Sequence, residues 1–442
     1  MSIEYSSSVD HPIETVFAWH ERPGAFERLS PPWQPVRVIE EAGSLADGRA
    51  VIRMPGGIRW VAQHGDYDPP RRFVDDLVSL PVPWHHVHAF APVGPTRTRI
   101  TDAVTTPIPA PLLRRMFVYR HTQVRDDLDA IAELRHLDPT PRTVAVTGST
   151  GLVGSALCAF LSTAGHRVIR LVRREPRTDS ERAWVPDDPD PGIFAGVDAV
   201  IHLAGASIAG RFSEQHKRAI AASRIEPTRQ LAEAMARSQG PRVLLVASAI
   251  GYYGPDRGDE LLDEATGGGS GFLADVVANW EAASQRAVDA GLRVVTVRTG
   301  VVLSTRGGML KLLRPVFFAG LGGRVGGGRQ WLSWIDLDDL TDIYARALVD
   351  ERLVGVLNAV APEPVRNREF SATLARVLHR PALFPVPASA LGVVVGAEGV
   401  HEVACASERV AARRLEAAGF HFRRPWLEAS LRHQLGRVGP TP

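Results

Sequence analysis

From Thr143 to Val172 the chain reads as strand, glycine-rich loop, helix and strand, an order that few folds accommodate. Thr143–Thr147 is a short apolar run, Val153, Leu157, Phe160 and Leu161 then recur on one helical face up to Gly165, and Arg167–Val172 supplies the second strand. Between strand and helix lie Gly148, Ser149, Thr150, Gly151, Leu152, Val153 and Gly154. In a parallel βαβ unit these glycines have separate tasks: Gly148 makes the tight turn, Gly151 lets the backbone approach a pyrophosphate, and Gly154 lets the helix pack on the strand. The helix amino terminus then turns unpaired N–H groups toward the phosphates. The segment predicts a dinucleotide bound on a parallel sheet, because the loop sits between a strand and a helix as such sites require.

The end of the second strand selects the dinucleotide. A site built for NAD presents Asp or Glu to the ribose 2′-hydroxyl about twenty residues past the loop. This chain places Arg173 and Arg174 there. Guanidinium forks match a 2′-phosphate bidentately, so the predicted cofactor is NADP(H). The third strand, Asp198–His202, runs into Leu203, Ala204 and Gly205, small enough for close approach on the adenine–ribose side.

A length of 442 residues exceeds what one core organises, so two or three domains are expected. Net charge is +2 without long basic runs, which excludes an electrostatic nucleic-acid face. No apolar run is long enough to span a bilayer, and Met1–Asp10 has no secretory pattern. Cys158 and Cys405 are the only cysteines and lie far apart, so no disulfide framework is expected and a cytoplasmic location is. The clearest boundary is His136–Arg142, where Pro139 and Pro141 separate a helical pattern from an apolar strand. The expected domains are residues 1–136, 142–355 and 356–438.

The first of these reads as a strand over Ile3–Val9, short helical turns around Ile13–Phe26, six alternating runs between Val36 and Val104, and a long helix carrying Val124, Leu128, Ile131 and Leu134. That order, with the phrase Val9-Asp10-His11-Pro12-Ile13-Glu14-Thr15-Val16-Phe17, resembles the helix-grip (START-like, polyketide cyclase-like) family. The resemblance implies an α+β unit whose curved sheet closes round the last helix and encloses an apolar ligand cavity. Trp19, Trp33, Trp60 and Trp84 are candidates for lining it, or equally for core packing. In Trp84-His85-His86-Val87-His88 alternation puts His86 and His88 on one strand face, but no Asp, Glu or Cys is adjacent in sequence, so no metal is expected.

Beyond the loop, Asp198-Ala199-Val200-Ile201-His202-Leu203-Ala204-Gly205, Ser223-Arg224-Ile225, Ser248-Ala249-Ile250-Gly251-Tyr252-Tyr253-Gly254, Arg298-Thr299-Gly300-Val301-Val302-Leu303 and Gly326–Asp336 together resemble the atypical extended short-chain dehydrogenases of the epimerase-like family. Residues from about Asn358 to Leu435 look like the small domain of unknown function that closes this subgroup. The resemblance implies a Rossmann-type doubly wound α/β sheet with a small carboxy-terminal domain, and it adds Arg224 and Val302 to the cofactor-binding residues.

The usual catalytic pair of that superfamily is absent. A tyrosine there acts as acid or base, and a lysine one helical turn later lowers its pKa. This chain has two lysines, Lys217 and Lys311, neither with a tyrosine four residues upstream. On the corresponding helix, Phe272–Asp289, Val276 takes the tyrosine position and Trp280 the lysine position. Ser248 keeps the serine-like place, and Tyr252 or Tyr253 is the candidate proton donor from the following loop. Three functions fit: an NADP(H)-dependent oxidoreductase or epimerase acting on a small molecule, a non-catalytic NADP(H) sensor with an apolar-ligand domain and a role in cell division, or delivery of an apolar carbonyl compound from the first domain to the second. Oligomeric state is not encoded in any of these patterns.

Overall fold

Period-two alternation at the amino-terminal end resolves into one antiparallel sheet in the computed structural model, which describes residues 2–382 and 384–438. The chain divides into two units, Met1–Pro139 with Cys158–Gly165 and Arg432–Pro442, and Thr140–Leu157 with His166–Leu431. The first contains β1 (Ser2–Val9), α1 (Ile13–Glu21), α2 (Ala25–Leu29), β2 (Arg37–Glu40), β3 (Arg49–Arg53), β4 (Arg59–Asp68), β5 (Arg72–Leu77), β6 (His85–Gly94), β7 (Arg97–Thr105) and α3 (Ala110–Leu137). Sheet order is β1-β7-β6-β5-β4-β3-β2, so the first strand closes against the last, Ser2 opposite Thr105. The 28-residue helix α3 buries the expected Val124, Leu128, Ile131 and Leu134. It also buries Asp127, which takes a two-pronged ion pair from Arg28 at 2.6 and 2.8 Å. Trp60 and Trp84 pack edge to face at 5.2 Å, and Trp33 packs likewise on Tyr119 at 5.1 Å.

The second unit holds β8 (Thr143–Thr147), the start of α4 (Leu152–Ala164, grouped with the first unit from Cys158 on), β9 (Arg167–Val172), β10 (Glu181–Ala183), β11 (Ala199–His202), α5 (Glu214–Ala222), α6 (Ile225–Arg237) and β12 (Val243–Ala249). Next come β13 (Asp256–Leu262), α7 (Phe272–Ala282), α8 (Gln285–Asp289), β14 (Arg293–Thr299), β15 (Val301–Leu303), α9 (Gly308–Phe318), β16 (Trp331–Leu332), β17 (Trp334–Asp336), α10 (Leu337–Val349) and β18 (Gly355–Ala359). Seven parallel strands run β10-β9-β8-β11-β12-β14-β18, the expected doubly wound α/β sheet. Chain direction across the sheet reverses between β8 and β11, which opens a crevice at their carboxyl ends. The strands are near-continuous apolar runs because both faces are covered; Val144, Ala145, Val146, Val200, Leu244 and Val295 are all fully buried.

One boundary differs from expectation. The helix expected over Phe272–Asp289 breaks at Ala283 and Ser284, where Ser284 Oγ donates to the Glu281 carbonyl at 2.8 Å and competes with the helical ladder. The seventh strand, β18, pairs Gly355–Ala359 with Val295–Thr299 on the open edge of β14. The carboxy-terminal part of the second unit adds Ser407–Val410, parallel to β13, and Arg423, whose guanidinium forks onto Asp342 of the fully buried α10.

Candidate functional site

The loops after β8 and β11 meet at the reversal point, and their glycines are there for lack of room. Gly148 holds φ at +65°, and a Cβ on it would lie 2.7 Å from the Leu203 carbonyl. A Cβ on Gly154 would lie 2.2 Å from the Gly148 oxygen, so the first turn of α4 rests on the loop only as glycine. Gly151 and Thr150 are exposed at the helix start, Leu152 and Val153 are half-buried, and Ser149 is buried behind them. The result is a backbone cradle at a helix amino terminus, the donor set that a pyrophosphate fits.

Thr147 ties the two loops together. Its Oγ1 accepts from the Leu203 and Ala204 N–H groups at 3.1 and 3.2 Å and donates to His202 Nδ1 at 2.8 Å. That pattern assigns the imidazole proton to Nε2. His202 is fully buried, and burial pushes its pKa down to about 4, so it stays a neutral acceptor.

The arginines divide. Arg174 is forked onto Glu181 at 2.6 and 2.8 Å, and that hydrogen-bonded pairing pulls the Glu181 carboxyl down to about 2. Arg173 is exposed at the end of β9 and makes no side-chain hydrogen bond among the described residues. Arg224 lies under the β11 loop: it donates to Ala206 O at 2.8 Å and Ile220 O at 3.1 Å, and its guanidinium stacks 5.2 Å from the Trp280 ring centre. Burial there lowers its pKa to about 10. Val302 is half-buried on β15, paired with Ile335. Leu203 and Ala204 are half-buried and Gly205 exposed; a Cβ on Gly205 would lie 3.2 Å from the Arg224 guanidinium carbon.

Around Ser248 the side chains form one chain of contacts. Ser248 Oγ donates to Glu281 Oε1 at 2.6 Å. Arg298, opposite Ser248 on β14, forks onto the same carboxylate at 2.8 and 2.8 Å and donates to the Tyr253 hydroxyl at 3.1 Å. Tyr253 is fully buried, its hydroxyl within 2.8 Å of Asp263 O and 2.9 Å of Asn358 Oδ1, and burial raises its pKa. Its hydroxyl is therefore engaged inside the protein. Tyr252 is half-buried with its ring centre 3.4 Å from the Arg298 guanidinium carbon. Val276 and Trp280 are both buried, and Trp280 Nε1 donates to Thr228 Oγ1 at 3.0 Å. Glu281, Arg298 and Asn358 were not anticipated as site residues. The available signal was a charged Arg298 directly after Val294–Val297 on a buried parallel strand.

The profile of the NAD dependent epimerase/dehydratase family matches residues 144–358, and that of a domain of unknown function (DUF1731) matches residues 386–434. An epimerase family protein of Mycobacterium bovis is 42% identical over 299 residues, covering 67% of this chain and 98% of that protein. The chain belongs to the NAD dependent epimerase/dehydratase family. Similarity extends beyond that region to a crystal structure described as the nucleoside-diphosphate sugar epimerase from Corynebacterium glutamicum, 43% identical with a TM-score of 0.87, covering 98% of this chain and 90% of that one. The human epimerase family protein SDR39U1, solved with NADPH, is 32% identical with a TM-score of 0.61 over 67% of this chain and all of its own. Among the described residues no helix is long and apolar enough to cross a membrane.

Proposed function

We propose that the second unit binds NADP(H) and works as an epimerase-type oxidoreductase in which Tyr252, backed by Arg298, replaces the Tyr-Lys pair. The observation that carries cofactor binding is the glycine cradle at the reversal point, with Arg173 at the end of β9 making no side-chain hydrogen bond among the described residues. The NADPH-bound human relative supports the choice of cofactor. Gly148–Gly154 would take the pyrophosphate, Leu203–Gly205 the adenine side, and Arg173 the 2′-phosphate. A bound nicotinamide would supply or accept a hydride. Ser248, its proton held by Glu281, would offer its hydroxyl oxygen as an acceptor to a substrate hydroxyl. Arg298, stacked under the Tyr252 ring, sets a fixed cation beside the charge that develops when the phenol gives up its proton. A nucleoside-diphosphate sugar is the substrate class to try first, on the strength of the description of the Corynebacterium protein.

The first unit is read as a helix-grip (START-like) ligand-binding domain, supported by an antiparallel sheet followed by a long helix. A cytoplasmic location is supported by two cysteines that form no disulfide.

The test is binding and turnover on the full chain. NADPH should bind more tightly than NADH by calorimetry, and Tyr252→Phe should keep that affinity while losing at least about a hundredfold in turnover of a nucleotide sugar. Equal affinity for the two cofactors would overturn the cofactor reading, and full activity of the phenylalanine variant would overturn the role of Tyr252. A second reading, a non-catalytic NADP(H) sensor, is favoured by Val276 and Trp280 in the catalytic positions; firm NADPH binding with no turnover across the panel would decide for it.

A further inference from the structure

The motif Trp84-His85-His86-Val87-His88 finds its carboxylates in space. On β6, alternation turns His86 and His88 to the inward face, where they are 1% and 7% exposed. Antiparallel register sets Asp75 of β5 opposite His86 and Asp102 of β7 opposite His88. Directly opposed residues point to the same face of a sheet. All four side chains therefore converge beneath α3, which contributes His121.

The two carboxylates take different parts. Asp75 Oδ2 lies 3.1 Å from His86 Nδ1 and 3.0 Å from His88 Nε2. Asp102 Oδ1 lies 2.9 Å from His86 Nε2 and 2.8 Å from His88 Nδ1, while its Oδ2 meets His121 Nε2 at 2.8 Å. Each imidazole thus turns both ring nitrogens to a carboxylate oxygen. A neutral ring has one N–H, and where both are directed at Asp102 the other nitrogen of each ring presents a lone pair beside Asp75 Oδ2. Three lone-pair donors then face one point, and their mutual repulsion is relieved by a cation between them.

We propose that Asp75, His86 and His88 bind a divalent first-row metal ion of the zinc type, with Asp102 as the carboxylate that orients both histidines from behind. Two imidazoles and one carboxylate are the donor set of open tetrahedral zinc sites. Donors about 2.0–2.1 Å from zinc stand about 3.3 Å apart at tetrahedral angles; the two Asp75–histidine separations of 3.1 and 3.0 Å lie close to that, and the three ligand atoms all fall within 4.8 Å of one another. A histidine ligand characteristically gives its second ring N–H to a carboxylate, and Asp102 takes that role for both rings. Asp75 is itself held, its Oδ1 accepting from Trp84 Nε1 at 3.0 Å. His121 passes the support to Ser7 Oγ at 2.7 Å. His64, opposite Asp75 on β4, brings a further buried nitrogen to this face, its Nδ1 without a hydrogen-bond partner among the described residues.

The test uses the full chain stripped with a chelator and dialysed, then titrated with ZnCl2 and, separately, CoCl2. Expected are about one ion per chain by elemental analysis, visible absorption bands of tetrahedral cobalt, and a melting temperature that rises with zinc. His88→Ala and Asp75→Ala should lose the bands, and Asp102→Asn should weaken zinc binding roughly ten- to a hundredfold. Wild-type protein that takes up no stoichiometric zinc and shows no cobalt bands would overturn the proposal, since protons would then satisfy the cluster. Variants at Asp75 and His88 that bind as wild type would overturn the assignment of ligands. Circular dichroism of each variant separates loss of ligand from loss of fold.

Discussion

Removing the Glu281 carboxylate tests whether the site around Ser248 is built as a unit. The Arg298 side chain is 4% exposed and that of Glu281 14%, and the two share a forked contact with both distances at 2.8 Å. Glu281→Ala leaves a buried guanidinium with one hydroxyl partner and a ring face. Breaking a buried pair by deleting one member costs about 3–5 kcal/mol, because the remaining charge is uncompensated. Replacing both members with apolar residues, Glu281→Leu with Arg298→Met, removes the charge as well as the pairing. What remains is the lost acceptor of Ser248 and the lost donor to Tyr253, together about 1–2 kcal/mol. The double variant should therefore be more stable than either single one, with a coupling of at least about 2 kcal/mol. By scanning calorimetry each single variant should melt roughly 6–15 °C lower, and the double variant should recover more than half of that. Single costs under about 1 kcal/mol that add within about 0.5 kcal/mol would refute a buried, coupled pair.

Three other outcomes are expected. Arg173→Asp should weaken NADPH by about tenfold or more while leaving NADH unaffected, whereas Arg174→Ala, whose guanidinium is already forked onto Glu181, should change NADPH affinity less; calorimetric titration separates the two. Gly154→Ala puts a methyl 2.2 Å from the Gly148 oxygen and should cost about 1–3 kcal/mol by urea unfolding, with loss of NADPH affinity as the loop is pushed out. His202 is held at about 4 against an ordinary value of 6.5, so the unfolded chain takes up a proton that the folded one refuses: its stabilising contribution is present above 6.5 and is lost as pH falls toward 4, by up to about 3 kcal/mol. His202→Asn, which cannot titrate, should flatten that acid limb in unfolding curves taken between pH 7 and 4.5.

The parts of this protein that could be read from sequence are those written locally. The strand, glycine loop and helix of Thr143–Ala164 occupy consecutive residues, and the spacing of Gly148, Gly151 and Gly154 states which backbone atoms must approach each other. The helical face of Val124, Leu128, Ile131 and Leu134 is likewise a property of one segment. The His86 and His88 cluster is different in kind. Period-two alternation shows that both rings share a face, yet Asp75 and Asp102 join them only because β5, β6 and β7 pair in one particular register, and a slip of one residue would send the carboxylates to the opposite face. Ser248, Glu281 and Arg298 meet by a similar coincidence of a strand neighbour and a helix packed over it.

The missing lysine shows how an absence in sequence becomes a contact in structure. Trp280, which the resemblance sets at that position, cannot carry a charge, but its indole N–H holds Thr228, and its ring faces the Arg224 guanidinium at 5.2 Å. Arg224 in turn grips the Ala206 carbonyl, and Ser223 Oγ accepts the Ala206 N–H at 2.9 Å, so the tryptophan braces the β11 loop that borders the glycine cradle. Cationic charge is still present near the proposed reacting centre, supplied from β14 by Arg298 beneath Tyr252. The positions of charge and aromatic ring are thus exchanged relative to the Tyr-Lys arrangement: an aromatic side chain stands on α7 where the cation would be, and the cation stands on the sheet beside the candidate phenol. Restoring a lysine alone, as Trp280→Lys, should unseat Arg224 and loosen the β11 loop before it creates any catalytic pair.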